Sequence, residues 1–257
     1  MVDTIALVQF QITPFDPAGN LARMEAHVAE AAAAGAQIVV FPEDAVTGPL
    51  DAQAAYVDHA AEYLAFFQRL AARHCIDIVP GSWTTREAAA LFNTTHYINS
   101  DGGVAGSYRK INLWPTEKAL LTPGNAVSVF PTAHGLVGLV ICWDLSFAPL
   151  FTEMKRQGAG LVIAPAYWSF TPQAIADPTL QADELQLIDS LCTVRAFEND
   201  LVVAYCNAAG VLGAGTATSV LSGRSQICHP LLKTLCKAQN NAEQMLIGQL
   251  AGAAVAA

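Results

Sequence analysis

The chain has 257 residues, enough to bury roughly three quarters of its unfolded surface and to hold a core without staples. Hydrophobic residues make up 53% and charged residues 14%, which predicts a layered interior with few exposed faces. A net charge of −9 without a basic cluster argues against nucleic acid and anionic membrane as partners, and no run reaches the roughly 20 apolar residues of a membrane helix.

In chain order, Thr4 to Phe10 reads as a strand. Asn20 is the expected cap of a helix with Leu21, Met24, Val28 and Ala31 at helical spacing, closed by Gly35. Ile38 to Phe41 is a strand stopped by Pro42. Ala52 to His74 is expected as one helix, with Tyr56, Tyr63, Leu64, Phe67 and Leu70 on one side, followed by a strand from Ile76 to Val79. This series favours a sheet covered by helices on its outer face. Leu91 to Ile98 and Val104 to Tyr108 read as a hairpin around Asn99-Ser100-Asp101-Gly102-Gly103. Strands at Val127 to Phe130 and Leu136 to Cys142 follow the turn Pro123-Gly124-Asn125. Then come a helix from Phe147 to Gln157, a strand from Leu161 to Ala164, a helix from about Thr179 to Glu198, and a strand from Leu201 to Cys206. The halves resemble each other in outline, and no Pro/Gly/Ser linker separates them. One domain, residues 1–257, is expected. The uncharged, Ala-rich stretch from Gln249 to Ala257 fits an oligomer contact or a frayed end equally.

Met1 to Phe10 lacks the basic start and cleavage site of a signal peptide. The six cysteines (75, 142, 192, 206, 228 and 236) include no Cys-x-x-Cys pair, so reduced thiols and a cytoplasmic location are expected. Cys228-His229 alone does not supply the paired ligands that zinc needs, and no metal site is read.

Three strand ends carry reactive groups. Cys142 closes the apolar run Gly138-Leu139-Val140-Ile141 and precedes Trp143-Asp144. Glu43 follows Ile38-Val39-Val40-Phe41-Pro42, and Lys110 follows Val104 to Arg109. Thiol, carboxylate and ammonium form a complete set for acyl transfer through a covalent intermediate. A nearby ammonium and a helix beginning after Cys142 would lower its thiol pKa. Glu43 would move the proton, while Lys110 and the Trp143 N–H would stabilise the developing anion. Each residue alone has a plainer reading, as a small buried hydrophobe or a solvated charge. The other five cysteines read as structural.

These segments resemble the nitrilase superfamily, the carbon–nitrogen hydrolases. Phe41-Pro42-Glu43 with Thr47-Gly48 is similar to the family's glutamate block, Tyr108 through Trp114 to its lysine block, and Gly138 through Asp144 to its nucleophile block. Glu117 falls where a second family glutamate lies. Arg195 through Asn199, Asn207, and Gly223 through Ile227 with Pro230 resemble later signatures. The resemblance implies an α/β fold, a four-layer α-β-β-α sandwich, and dimerisation through helices into a homodimer or higher homo-oligomer. It implies a triad of Glu43, Lys110 and Cys142, with Glu117 orienting Lys110, a thioester intermediate and no cofactor. The chain departs from many amidase members in having Ser146 and Pro149 where they have Arg and Glu, and Asn112 where His is common. The C-terminal strand is expected to stop early, after Leu250.

A small amide or carbamoyl substrate is favoured over a nitrile, because Asp144 and the early end do not match the nitrilase branch. A catalytically silent binding or assembly protein on the same fold is the reading from another class. Trp143, Tyr167 and Trp168 are expected to line the substrate pocket, with ordinary core packing as their alternative. Without an obvious extra arginine, a dicarboxylate amide is less attractive, though Arg109 and Arg224 have no assigned place.

Overall fold

The structure is a computed structural model that describes residues 2–49, 55–213 and 218–250. Two sheets lie face to face between helical layers. The first is built from β1 (Thr4–Gln9), β2 (Ile38–Val40), β3 (Asp77–Val79), β4 (Ser82–Glu87), β5 (Ala90–Ile98), β6 (Val104–Arg109) and β15 (Gln244–Gln249). Its order is β15-β1-β2-β3-β5-β4, with β6 also on β5. The second contains β7 (Ser128–Thr132), β8 (Gly135–Leu139), β9 (Leu161–Ala166), β10 (Val202–Asn207), β13 (Gln226–His229) and β14 (Lys233–Lys237), in the order β14-β13-β10-β9-β8-β7. A small ribbon pairs β11 (Val211–Leu212) with β12 (Ser219–Val220).

Each sheet has three parallel strands at its centre, β1-β2-β3 and β8-β9-β10, flanked by antiparallel neighbours. The central strands are covered on both faces, which is why β2 and β9 are buried along their whole length and read as unbroken apolar runs. The crossovers are helical. In the first half they are α1 (Pro17–Ala33) and α2 (Ala60–His74); in the second, α3 (Ala148–Arg156) and α5 (Pro178–Asn199), with a short α4 (Pro172–Ala176) before the latter.

The core has two compartments. Val8, Phe10, Val39, Phe41 and Ile78 of the first sheet pack on Met24 and Val28 of α1 and on Tyr63, Phe67 and Leu70 of α2. Trp83 stacks on Phe67 at 6.1 Å and 14°. The alternate residues Ile5, Leu7, Ile38, Val40 and Val79 point the other way, into a cluster with Val137, Leu139, Ile163 and Val203, continuous with Phe151, Ile188 and Cys192 on the outer helices. Burying each such side chain contributes about 1.5–3 kcal/mol. The sheets also meet through polar atoms: the Cys206 thiol donates toward Val8 O and Val40 O, both at 3.3 Å. At Gly106 a Cβ would overlap the Phe130 ring, so glycine there lets β6 lie against β7.

Several boundaries differ from the sequence reading. Asp16, not Asn20, caps α1, accepting from Gly19 N at 3.0 Å with Pro17 next. Asn20 lies a turn inside and buried, bonded to Thr13 O (2.8 Å) and Val46 O (2.9 Å); its amide anchors the loop that follows Glu43. The second helix starts at Ala60 after a 3₁₀ turn, Val57–His59; residues 52–54 of the expected span lie outside the described residues. β8 ends at Leu139, and a 3₁₀ turn, Cys142–Ser146, precedes α3. β15 pairs along the whole of β1, while residues 251–257 lie outside the described residues.

Candidate active site

The parallel strands deliver their C-terminal ends to one region, the usual place for a ligand in α/β sheets. Glu43 follows β2 and is fixed by a bridge to Ser82. Gly81 makes that possible: its φ of +83° is left-handed, and a Cβ there would overlap the Pro42 carbonyl oxygen. Cys142 follows β8 with φ at 48°, an uncommon conformation for a side chain larger than glycine. Lys110 leaves the end of β6, and its N–H bonds Asn93 O at 2.9 Å.

The ammonium of Lys110 is buried between two carboxylates, 2.8 Å from Glu43 Oε1 and 2.8 Å from Glu117 Oε2. The Asn93 side-chain amide donates to both acids as well, to Glu43 Oε1 at 2.8 Å and Glu117 Oε1 at 3.1 Å. Trp114 N donates to Glu117 Oε2 at 2.6 Å. Tyr167 N donates to Glu43 Oε2 at 2.9 Å, and the Glu43 carboxylate and the Tyr167 N–H both act on the Cys142 thiol. Glu43, Lys110 and Glu117 therefore form one connected, buried cluster, and the buried Cys142 lies under the electrostatic influence of Glu43 and Lys110.

Burial alone would push the Lys110 ammonium down, but Glu43, Cys142 and Glu117 together hold it well above the usual lysine range. The Cys142 thiol moves upward, first through burial and then through the Glu43 charge; Lys110 and the Tyr167 N–H oppose this without winning. That corrects the expectation of a lowered thiol pKa: a sulfur among buried acids keeps its proton until a base takes it. Glu117 is raised by burial and by Glu43, against Lys110.

Cys142, Glu43 and Glu117 open onto a cavity of about 290 Å³. Trp143, Tyr167 and Trp168 line it too, joined by Asp44 and Trp114, which the sequence did not single out. Trp143 meets Trp114 edge-on at 4.6 Å and Trp168 at 5.6 Å. Among the described residues no group of three His, Cys, Asp or Glu is arranged to hold a metal ion.

A second tier of contacts fixes this geometry. Asp144, fully buried, accepts from Tyr108 Oη (2.8 Å), Ile141 N (3.1 Å), and both Asn112 N (2.8 Å) and Asn112 Nδ2 (2.9 Å). It thereby ties the segment carrying Lys110 to the turn carrying Cys142, and Asn112 serves as its donor. Arg195 donates to Leu145 O at 3.1 Å and Ser146 O at 3.2 Å, so its guanidinium is held by backbone carbonyls of this turn. Asn207 Oδ1 accepts from Trp168 N at 2.7 Å, and its amide reaches Gly223 O at 2.8 Å. Asn93 escaped the sequence reading because only the register of β5 reveals that it faces both glutamates.

Fold and cluster together define an α/β-sandwich hydrolase with a buried thiol, carboxylate and ammonium at its centre. The carbon–nitrogen hydrolase family profile matches residues 4–257, and the chain belongs to that family, in the amidase-like branch of the nitrilase superfamily. It is 30% identical over 248 residues to the omega-amidase NIT2 of Homo sapiens, an alignment covering 91% of this chain and 83% of the relative. It is 31% identical over 257 residues to hydrolase MT0498 of Mycobacterium tuberculosis, covering 96% and 88%. A solved structure of a mutant of the Nesterenkonia AN1 amidase from the nitrilase superfamily superposes with a TM-score of 0.81 at 25% identity, covering 98% of this chain and 91% of that one.

Proposed function

We propose that this one-domain enzyme hydrolyses small amides or carbamoyl compounds, releasing ammonia through a thioester on Cys142. The observation that carries this is the Lys110–Glu43 ion pair at 2.8 Å with Glu43 and Cys142 on the wall of one cavity of about 290 Å³. Glu43 takes the thiol proton as the sulfur attacks the carbonyl carbon. The C=O pair moves onto oxygen, and the anion is met by the Lys110 ammonium and the Trp143 N–H. Collapse of that intermediate breaks the C–N bond as Glu43 returns the proton to nitrogen, and ammonia leaves. Glu43 then deprotonates a water that attacks the thioester; Cys142 regains its proton and the carboxylic acid departs. Glu117 and Asn93 keep Lys110 and Glu43 in register throughout.

The assembly we expect is a homodimer or higher homo-oligomer, working in the cytoplasm; no helix among the described residues is long and apolar enough to cross a membrane. Nitrile hydrolysis and a silent binding role are the competing readings. Assaying ammonia release from small amides, carbamoyl compounds and nitriles separates them. Amide or carbamoyl turnover that is lost in Cys142→Ala supports the proposal. Turnover of nitriles alone favours the nitrilase reading, and silence across the panel favours the binding protein.

A further inference from the structure

We propose that Asn207 is a positioning residue that sets the acyl-group selectivity of the site by fixing the indole of Trp168; the inference deepens the amidase reading and rests on it. Trp168 lines the cavity with Cys142, yet it stands two residues past the end of β9, where the paired register with β10 has run out. Beyond that point the backbone polar groups need other partners. Asn207, the last residue of β10, supplies them.

The side chain of Asn207 takes the place of a strand neighbour. Its Oδ1 accepts from Trp168 N at 2.7 Å and its Nδ2 donates to Trp168 O at 3.1 Å, so one amide holds both backbone polar groups of one residue. The same Nδ2 reaches Ser222 Oγ at 2.9 Å and Gly223 O at 2.8 Å. Ser222 closes the arrangement, donating to Trp168 O from its N at 2.9 Å and from its Oγ at 2.8 Å. Asn207 is pinned in turn through its own backbone: its N–H donates to Ser225 Oγ at 2.9 Å, and Ser225 N donates to Gln9 Oε1 of the other sheet at 3.1 Å. Asn207 is fully buried, which shields these bonds from water and strengthens them.

Trp168 is where this network meets the substrate. Its indole packs on Trp143 at 5.6 Å, and Trp143 on Trp114 at 4.6 Å, a row of three rings along which an extended acyl chain can lie. Tyr167, one residue earlier, gives its N–H to Glu43 at 2.9 Å. Adjacent N–H groups thus have separate duties, one on the base and one on the wall. Buried backbone groups left unpaired cost more than their bonds contribute. Without the Asn207 amide the segment therefore shifts until its polar groups are satisfied elsewhere, and the indole shifts with it. A fitted wall discriminates by shape, one carbon more or less changing kcat/KM by about 10–200-fold. Asn207 does not line the cavity, so it acts on selectivity through Trp168 alone.

The test compares kcat/KM for pentanamide and 3-methylbutanamide, isomers of equal composition that differ in shape. The unaltered enzyme is expected to favour the straight chain by at least about tenfold, and Asn207→Ala to bring the ratio within about threefold of unity. A loss acting through Glu43, or through a smaller folded fraction, lowers both isomers alike and leaves the ratio where it was. That result would overturn the inference, as would an unaltered enzyme that does not separate the isomers. Near-ultraviolet circular dichroism reads the ring directly: the band assigned to Trp168 by its loss in Trp168→Phe is expected to be lost in Asn207→Ala as well, and its persistence would refute the positioning role. If Asn207→Ala does not fold, Ser222→Ala, which removes one bond to Trp168 O, is expected to move the ratio in the same direction by about threefold; an unmoved ratio there counts against the inference. Absence of ammonia release from either isomer and from other small amides would count against the amidase reading, while the Trp168 band still decides the role of Asn207.

Discussion

At the scale of single residues, the proposed chemistry turns on how Cys142 is kept from reacting until substrate arrives. Its left-handed backbone costs on the order of 1 kcal/mol, and the contacts of Asp144 with the adjoining backbone hold it there. Burial and Glu43 raise its thiol pKa, while Lys110 lowers it. In the proposed reaction Glu43 therefore has two opposite effects: its charge disfavours the thiolate, yet its oxygen receives the proton during attack. Replacing Glu43 with Gln separates them. The thiol of Glu43→Gln is expected to titrate below that of the unaltered enzyme, because Lys110 is left without that opposing charge; ultraviolet thiolate absorbance against pH measures this. Amide turnover in the same variant is expected to fall about 10²–10⁴-fold. A thiol that titrates higher, or turnover that persists, would remove Glu43 from this role.

At the scale of elements, the site is a meeting of strand ends whose alignment depends on side chains outside the cavity. Asp144 joins β6 and the segment after it to the turn after β8 through three hydrogen bonds, and a fourth, from Ile141 N, lies within that turn region. An asparagine in its place would set an NH₂ group against these donors. Asp144→Asn is expected to lose about 2 kcal/mol of stability and to lower kcat more than it raises KM, as denaturant titration and steady-state kinetics would measure. Unchanged kcat would show that the two segments hold their register without it. The central strands were legible in the sequence because their two-sided burial leaves unbroken apolar runs such as Ile38-Val39-Val40. β4 was not: Ser82-Trp83-Thr84-Thr85-Arg86-Glu87 has one large apolar residue, Trp83, and its pairing with β5 depends on a tertiary neighbour. The edge strand β14, with lysines at both ends, was hidden likewise. Glu43, Lys110 and Cys142 stood out because strand ends mark them, whereas Asn93 and Asp44 needed register and loop geometry.

Across the whole molecule, the two similar halves place reactive groups from distant segments around one cavity, and buried polar groups elsewhere couple this fold to pH. His96 is the clearest. Burial against Trp83, at 5.2 Å, depresses its pKa from 6.5 to about 4. The unfolded chain binds that proton first, so stability falls as pH drops from about 6.5 toward 4, by up to about 3 kcal/mol. The stability difference between the unaltered protein and His96→Gln should shrink through that window, and parallel curves in urea titrations at each pH would contradict it. The joint action of sulfur, carboxylate and ammonium is tested most directly by acid-quenching the enzyme during turnover of a small amide and locating the bound acyl group by mass spectrometry. A thioester on the peptide containing Cys142, absent from Cys142→Ala, is the predicted result. An acyl group on another residue, or ammonia release that continues unabated in Cys142→Ala, would contradict it.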